Sequence, residues 1–254
     1  MKQIFLGVLT VFFAMASQGR DFKIVSQEFM PIGGAGPDGK MAGVHYEIAM
    51  AVCEKLKLTC KTELMPRARG LDQLKTGEAQ MIIGIAKNAE TDAICNFPGG
   101  VTQVGYTFFV KKGQAGKYKK IEDFKGKTIG VHGGSATGKN LVEQNAKLGG
   151  ALKVVEEATA ETPARKLAGD RYGADAAIYY ARAVGIYQAK KENLDIEPVA
   201  FDAFLQSHSM PMSKVSVPAD EFEKIKKAIH EVMQTEKIKK LIAENDLQAH
   251  PDQK

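Results

Sequence analysis

The chain has 254 residues, 44% hydrophobic and 26% charged, which is the balance of a folded globular protein and excludes a disordered or fibrous one. Its 35 Lys and Arg against 30 Asp and Glu leave a formal charge of +5, but the lysines are scattered among acids and no basic stripe interleaves with aromatics, which argues against nucleic acid as a partner. The five histidines (His45, His132, His208, His230 and His250) show no ligand spacing relative to the three cysteines, so neither a metal nor any other cofactor is expected.

Lys2 gives a short positive start, residues 4–13 are nearly unbroken apolar sequence, and Ala14, Met15 and Ala16 offer a small-x-small cleavage site. That is the layout of a secretory signal peptide over residues 1–16. The apolar run is about half of what a membrane-spanning helix needs. The mature protein is expected to begin near Ser17 and to work in the periplasm, away from cytoplasmic nucleotide pools.

Residues 22–26 alternate apolar and polar side chains and predict a first strand. After a turn-rich loop at 33–39, Val44, Ile48, Ala49, Val52 and Leu56 recur at helical spacing. Residues 61–65 predict a second strand, 67–75 a short helix ended by Gly77, and 81–85 a buried strand of the kind found in parallel sheets. The order then restarts, with strands at 107–110, 127–131, 154–155, 175–179 and 196–201. Helices are expected from the loop at 133–138 to Asn145, and again over 164–167. In the tail, Phe222, Ile225, Ile229, Val232 and Met233 form one helical face that Ile238, Leu241 and Ile242 continue. Alternating strands and helices predict α/β layers, and two such units sharing one tail predict two lobes with a ligand cleft between them.

Gly133, Gly138 and Lys139 follow a strand and open a helix, almost as in a phosphate-binding loop of nucleotide hydrolases. Asn140 stands where that motif needs a Ser or Thr hydroxyl for magnesium, so nucleotide hydrolysis is rejected. The Gly/Ser turn still presents N–H groups at a helix N-terminus, suited to a carboxylate or phosphate near Ser135 and Ala136. Cys53 and Cys60 enclose six residues, a spacing that suits a disulfide from a helix end to the next strand in an oxidising compartment, while Cys95 is left over.

The order of pieces resembles the periplasmic solute-binding proteins of the polar amino acid type, extracellular family 3. Gly43 to Ile48 sits where that family starts a helix, Leu74 to Gly77 followed by Met81 to Gly84 matches its "L-x-x-G, then D-x-I" segment with Gln80 for the usual Asp, Phe97 and Pro98 match its "F-S-x-P-Y" run, and Phe124 to Val131 its "L-K-G-K-x-V-G-V" strand. The resemblance implies a two-lobed α/β fold (type II), each lobe a mainly parallel sheet flanked by helices, with residues 20–108 plus 208–254 in lobe 1 and 109–207 in lobe 2. It also implies capture of a small polar solute for a membrane ABC transporter permease, by a monomer without chemistry of its own. The Cys53–Cys60 spacing is similar to the bridge of basic amino acid binders.

Position by position, the resemblance puts the family's carboxylate-gripping Arg at Thr91, its small strand positions at Gly84 and Ala86, and its ammonium-binding Asp at Tyr180. Both charged anchors are therefore missing, and an ordinary α-amino acid in the usual pose is disfavoured, because a buried charge without a partner costs several kcal/mol. Residues 65–69 resemble a "P-x-x-R" segment of a divergent branch, which offers Arg67 or Arg69 as the fork for an anion. Phe29 falls where the family stacks an aromatic on its ligand. Of Tyr179 and Tyr180, one is expected in the core and the other in the cleft lining. The alternatives are a periplasmic enzyme similar to cyclohexadienyl dehydratases, which needs a general acid or base in the cleft, and a ligand-sensing partner of a membrane receptor.

Overall fold

The computed structural model describes residues 21–253, so the expected signal peptide at 1–16 lies outside the described residues. Strand β1 (Phe22–Ser26) sends Phe22 and Ile24 to one core and Val25 to another, as a two-residue period requires. The short pair β2 (Gly34–Ala35) and β3 (Met41–Ala42) leads into helix α1 (Val44–Leu56), which buries Val44, Ile48, Ala49 and Val52. Lys57 ends α1 in the left-handed region, and the Cys53–Cys60 disulfide ties the helix to β4 (Cys60–Leu64), parallel to β1.

Helix α2 (Arg67–Thr76) stops at Gly77, whose φ of 84° suits glycine. Strand β5 (Met81–Ile82) is shorter than the sequence predicts, because Gly84 turns the chain out of extended geometry at φ 73°. Helix α3 (Ala89–Ile94) and β6 (Cys95–Asn96) follow, with Cys95 a buried free thiol.

Strand β7 (Thr102–Lys111) runs ten residues, starting well before the predicted 107–110, and everything from Val104 to Val110 is buried. Then come β8 (Thr128–His132), α4 (Ala136–Lys147), β9 (Lys153–Glu157), α5 (Thr162–Ala168), β10 (Ala177–Ala181), α6 (Arg182–Glu192) and β11 (Ile196–Pro198). Strand β12 (Phe204–His208) returns along β7, and β13 (Met212–Ser213), α7 (Ala219–Met233), α8 (Glu236–Glu244) and β14 (Gln248–Ala249) complete the chain. Helix α7 packs its Ile225, Ile229 and Val232 face toward α1.

The strands form one five-stranded sheet, β4-β1-β5-β13-β6, and one seven-stranded sheet, β11-β7-β10-β8-β9, with β12 and β14 also on β7. Strands β1, β4 and β5 are parallel in the first, and β8, β9 and β10 in the second. This is a two-lobed α/β architecture. Its sheets are mixed instead of mainly parallel as the resemblance implies, because β13 pairs antiparallel with β5 and β6 and the long β7 pairs antiparallel with β10, β11, β12 and β14. The two crossing strands orient the lobes. The N-terminal half of β7 emerges where β10 ends, with Tyr106 opposite Ala181, and Ser209, just past β12, bridges Ile85 beyond the end of β5. The carboxyl edges of both sheets therefore meet at the crossing, which is where open α/β sheets bind ligands.

Candidate functional site

On the first sheet, the chain leaving β1 folds back so that Phe29 and Gly33 exchange backbone hydrogen bonds of 2.7 and 3.1 Å. This holds the half-buried Phe29 ring 5.4 Å from the His208 ring, and a Cβ on Gly84 would lie 3.9 Å from Phe29 and 3.0 Å from Ile32. Phe29 and Gly84, two expected site residues far apart in sequence, are thus neighbours. Ala86 follows, half-exposed, on the loop toward α3.

Thr91 does a different job from the expected one. It is fully buried, and its Oγ1 accepts the Asn88 N–H at 3.0 Å while lying 3.3 Å from the Ala86 carbonyl that it can donate to. With the Asn88 side chain accepting the Thr91 N–H, this is a capping box, and it fixes the loop that carries Ala86 instead of offering a group to a ligand.

Arg67 and Arg69 diverge, as residues two apart on a helix do. Arg67, the first residue of α2, reaches the Glu90 carboxylate at 3.4 Å, beside the Ala86 loop. Arg69 is exposed and acts on Glu63 of β4, whose carboxyl is held low first by its hydrogen bond to Lys23 and also by the Lys23 and Arg69 charges. Of the two, Arg67 stands at the carboxyl edge and Arg69 toward the outer strand.

On the second sheet, β8 is followed by a turn at Gly133 and Gly134, and Ser135 caps α4: its Oγ accepts the Gly138 N–H at 3.0 Å and donates to the His132 carbonyl at 2.6 Å. A Cβ on Gly138 would sit 2.5 Å from that carbonyl, so the turn needs glycine there. The Gly133 N–H bonds the Glu157 carbonyl at 3.0 Å, which pins the loop to β9. The N–H groups of Ala136 and Thr137, which a helix cannot satisfy internally, lead the dipole end. Asn140, where a nucleotide hydrolase has its hydroxyl, accepts the Tyr179 phenol at 2.7 Å.

Tyr180 belongs to the core and not to a lining. Its ring packs edge-on to Phe109 and its hydroxyl donates to the Ala160 carbonyl at 2.8 Å, with Gln188 Oε1 at 3.2 Å. Tyr179 is fully buried too, so the expected division of the pair into core and lining does not occur.

A family model, that of bacterial extracellular solute-binding proteins, family 3, matches residues 23–245. The chain belongs to this family. It is 27% identical over 205 residues to the probable amino-acid-binding protein YxeM of Bacillus subtilis (strain 168), covering 80% of this chain and 75% of that one. Its fold is similar to that of the probable amino-acid ABC transporter extracellular-binding protein ytmK from Bacillus subtilis, with TM-score 0.79 and 17% identity over 89% of this chain and 97% of that one. It is also similar to a histidine kinase sensor domain with similarity to periplasmic binding proteins, with TM-score 0.72 and 19% identity over 91% and 99% of the two chains.

As a family 3 solute-binding protein, the chain carries four polar side chains near its crossing strands that no sequence pattern announces. Arg182, first residue of α6, pairs with Asp202 through Nε at 2.7 Å, and its Nη2 reaches the Val199 and Phe201 carbonyls, both at 2.9 Å. His45 and His208 are buried, His208 against Phe29; His45 Nε2 lies 2.8 Å from Thr102 Oγ1, and both Nδ1 atoms are buried without a partner. Burial pushes the two imidazoles down, to about 3 and about 4, His45 also through the charge of His208. Among the described residues, no group of three or more His, Cys, Asp or Glu could hold a metal, and no helix is long and apolar enough to cross a membrane. A cavity of about 640 Å³ at Lys23, Lys61, Glu63 and Ser216 lies away from the crossing strands, and its ions are paired with each other, as in Lys23–Glu63 at 2.6 Å.

Proposed function

We propose that this solute-binding protein closes two lobes, residues 20–108 plus 208–254 and residues 109–207, over a small anionic or zwitterionic metabolite, an amino acid or a related carboxylate. It does so in the periplasm, as a monomer, and delivers the solute to the permease of an ABC transporter. The reading rests on one juxtaposition. The Phe29–Gly84 platform and the Ser135-capped start of α4 stand at the carboxyl edges of two sheets joined by β7 and β12. Phe29 supplies an apolar face and Gly84 and Ala86 leave room beside it. Arg67 and the Ala136 and Thr137 N–H groups supply positive ends for a carboxylate. The names of YxeM and ytmK support an amino-acid-like ligand and a transporter. The buried Thr91 and Tyr180 support a ligand held differently from the zwitterion pose of the resemblance.

The protein is read as a binder and not a catalyst. Its histidines His45 and His208 are buried, at 0% and 5% exposure, and Phe29 stands in contact with His208, which supports a core role for both rings. Closure then follows the hinge repertoire of such proteins.

The test is a thermal-shift screen of amino acids, carboxylates, amines and phosphorylated metabolites. A ligand at a hundred times its dissociation constant stabilises by about 2.7 kcal/mol. A screen in which only uncharged solutes shift the melt, or in which a prephenate-like compound is converted, overturns the reading.

A further inference from the structure

The second sheet carries a concentration of positive charge at the end opposite its ligand-side edge. Residues 111–127 hold seven lysines and two acids, an excess as large as the whole chain's +5. Strand β7 runs antiparallel to β10 and β10 parallel to β8, so the end of β7 and the starts of β8 and β9 share one edge. Lys112, Lys117, Lys119, Lys120 and Lys125 are exposed on the connection between β7 and β8. Lys153, also exposed, stands opposite Thr128 in the β8–β9 ladder, with its N–H on the Lys127 carbonyl at 3.0 Å.

Acids at this edge are bonded to the same connection and offset part of its charge. Asp123 accepts the backbone N–H groups of Lys119 and Lys120, Glu197 those of Gly113 and Ala115, and Asp170 pairs with Lys111 at 2.9 Å. Glu122, Asp175 and Asp195 are exposed there too, so the edge is a mixed surface with a net positive excess. The connection is not a floppy tail. Tyr118 stacks on Phe124 at 4.4 Å and Phe124 on Phe108 at 4.0 Å, which nails it to the sheet.

We infer that this lysine platform is an electrostatic docking surface for an anionic phospholipid membrane. Tyr118 and Phe124 are 4% and 0% exposed, so the platform offers charge without the aromatic faces on which bases stack, and this favours lipid headgroups over single-stranded nucleic acid. Its place at the far edge from Ser135 leaves the ligand loop uncovered when the platform is seated. An exported protein that must find a permease embedded in a membrane gains from searching along that surface.

The test is co-sedimentation of the full chain with vesicles of phosphatidylglycerol and phosphatidylcholine, and with phosphatidylcholine alone, at low and high salt. The patch variant is Lys117→Gln, Lys119→Gln, Lys120→Gln and Lys125→Gln together. The control is Lys224→Gln, Lys226→Gln and Lys227→Gln on α7. Each lysine near such a surface strengthens binding about fivefold, so the patch variant, four lysines short, should lose about 600-fold and the control little. Unchanged melting temperatures will show that both variants fold. No binding to anionic vesicles by the unaltered protein, equal losses in both variants, or tight binding to an oligonucleotide with none to vesicles overturns the proposal.

Discussion

Arg182 and Asp202 form an ion pair, 2.7 Å from Nε to Oδ1, at the place where both crossing strands leave the second lobe. The guanidinium also reaches Thr107 Oγ1 on β7 at 3.2 Å and the Val199 and Phe201 carbonyls on the path to β12, while Asp202 packs so close to Gly105 that a Cβ there would meet it at 2.2 Å. One pair thus clamps both strands of the hinge to one lobe, with only 19% and 18% of the two side chains exposed. Arg182→Ala leaves Asp202 without its charge partner and should cost about 3 kcal/mol, read as a lower urea midpoint. Asp202→Asn should cost less, since the amide oxygen still accepts from Arg182. Equal and small losses, within about 0.5 kcal/mol, would show that the clamp does not hold the fold.

The sequence displayed the lobes better than the hinge. Helices α1 and α7 bury apolar side chains at regular spacing and are visible as such. Helix α6 buries Ala183, Gly185 and Gln188, small or polar residues that leave no apolar stripe to read. Strand β12 exposes Phe204 and Leu205, so its sequence shows no alternation of buried and exposed positions. The candidate site was legible as a set of positions and not as a set of contacts. Phe29, Gly84 and Ser135 could be named from motifs because each stands at a turn the chain must make. The capping role of Thr91 and the anchoring of Tyr180 depend on partners such as Ala86 and Ala160 that only the fold brings near.

The buried histidines make acid stability a measurable property. Both folded-state values are depressed, to about 3 for His45 and about 4 for His208, against an ordinary value near 6.5. Protons then bind the unfolded chain first. The stability that neutral imidazoles contribute is full above pH about 6.5 and is lost progressively below it, the loss being complete once pH has fallen past about 4 for His208 and about 3 for His45. Urea midpoints should fall from pH 7 to pH 4.5. In His45→Gln and His208→Gln the fall should be shallower, and a slope identical to that of the unaltered protein would remove these groups as its cause.

The disulfide closes a short loop between α1 and β4, at a sequence separation of 7. A loop of that size restricts the unfolded chain by about 2–3 kcal/mol. Cys53→Ser with Cys60→Ser should lower stability by about that amount and leave ligand affinity within about twofold, because neither residue adjoins Phe29 or Ser135. Since Cys95 is buried and its thiol is pushed up to about 11, chiefly by burial, the variant should also resist thiol reagents until it unfolds.

Arg67 and Arg69 separate the two ways of reading the same motif. Arg67 stands beside Glu90 and the Ala86 loop at the carboxyl edge, whereas Arg69 is exposed toward Glu63. A charge-assisted hydrogen bond to a ligand carboxylate contributes about 1.5–3 kcal/mol, so Arg67→Ala should weaken binding about 10- to 100-fold. Arg69→Ala should stay within about twofold. Glu90→Gln adds a directional check, because releasing Arg67 from its 3.4 Å partner should strengthen binding of an anion. Calorimetry with the ligand found by the thermal-shift screen reads all three. A loss confined to Arg69→Ala would move the anion site to the outer edge of the first sheet and away from Phe29.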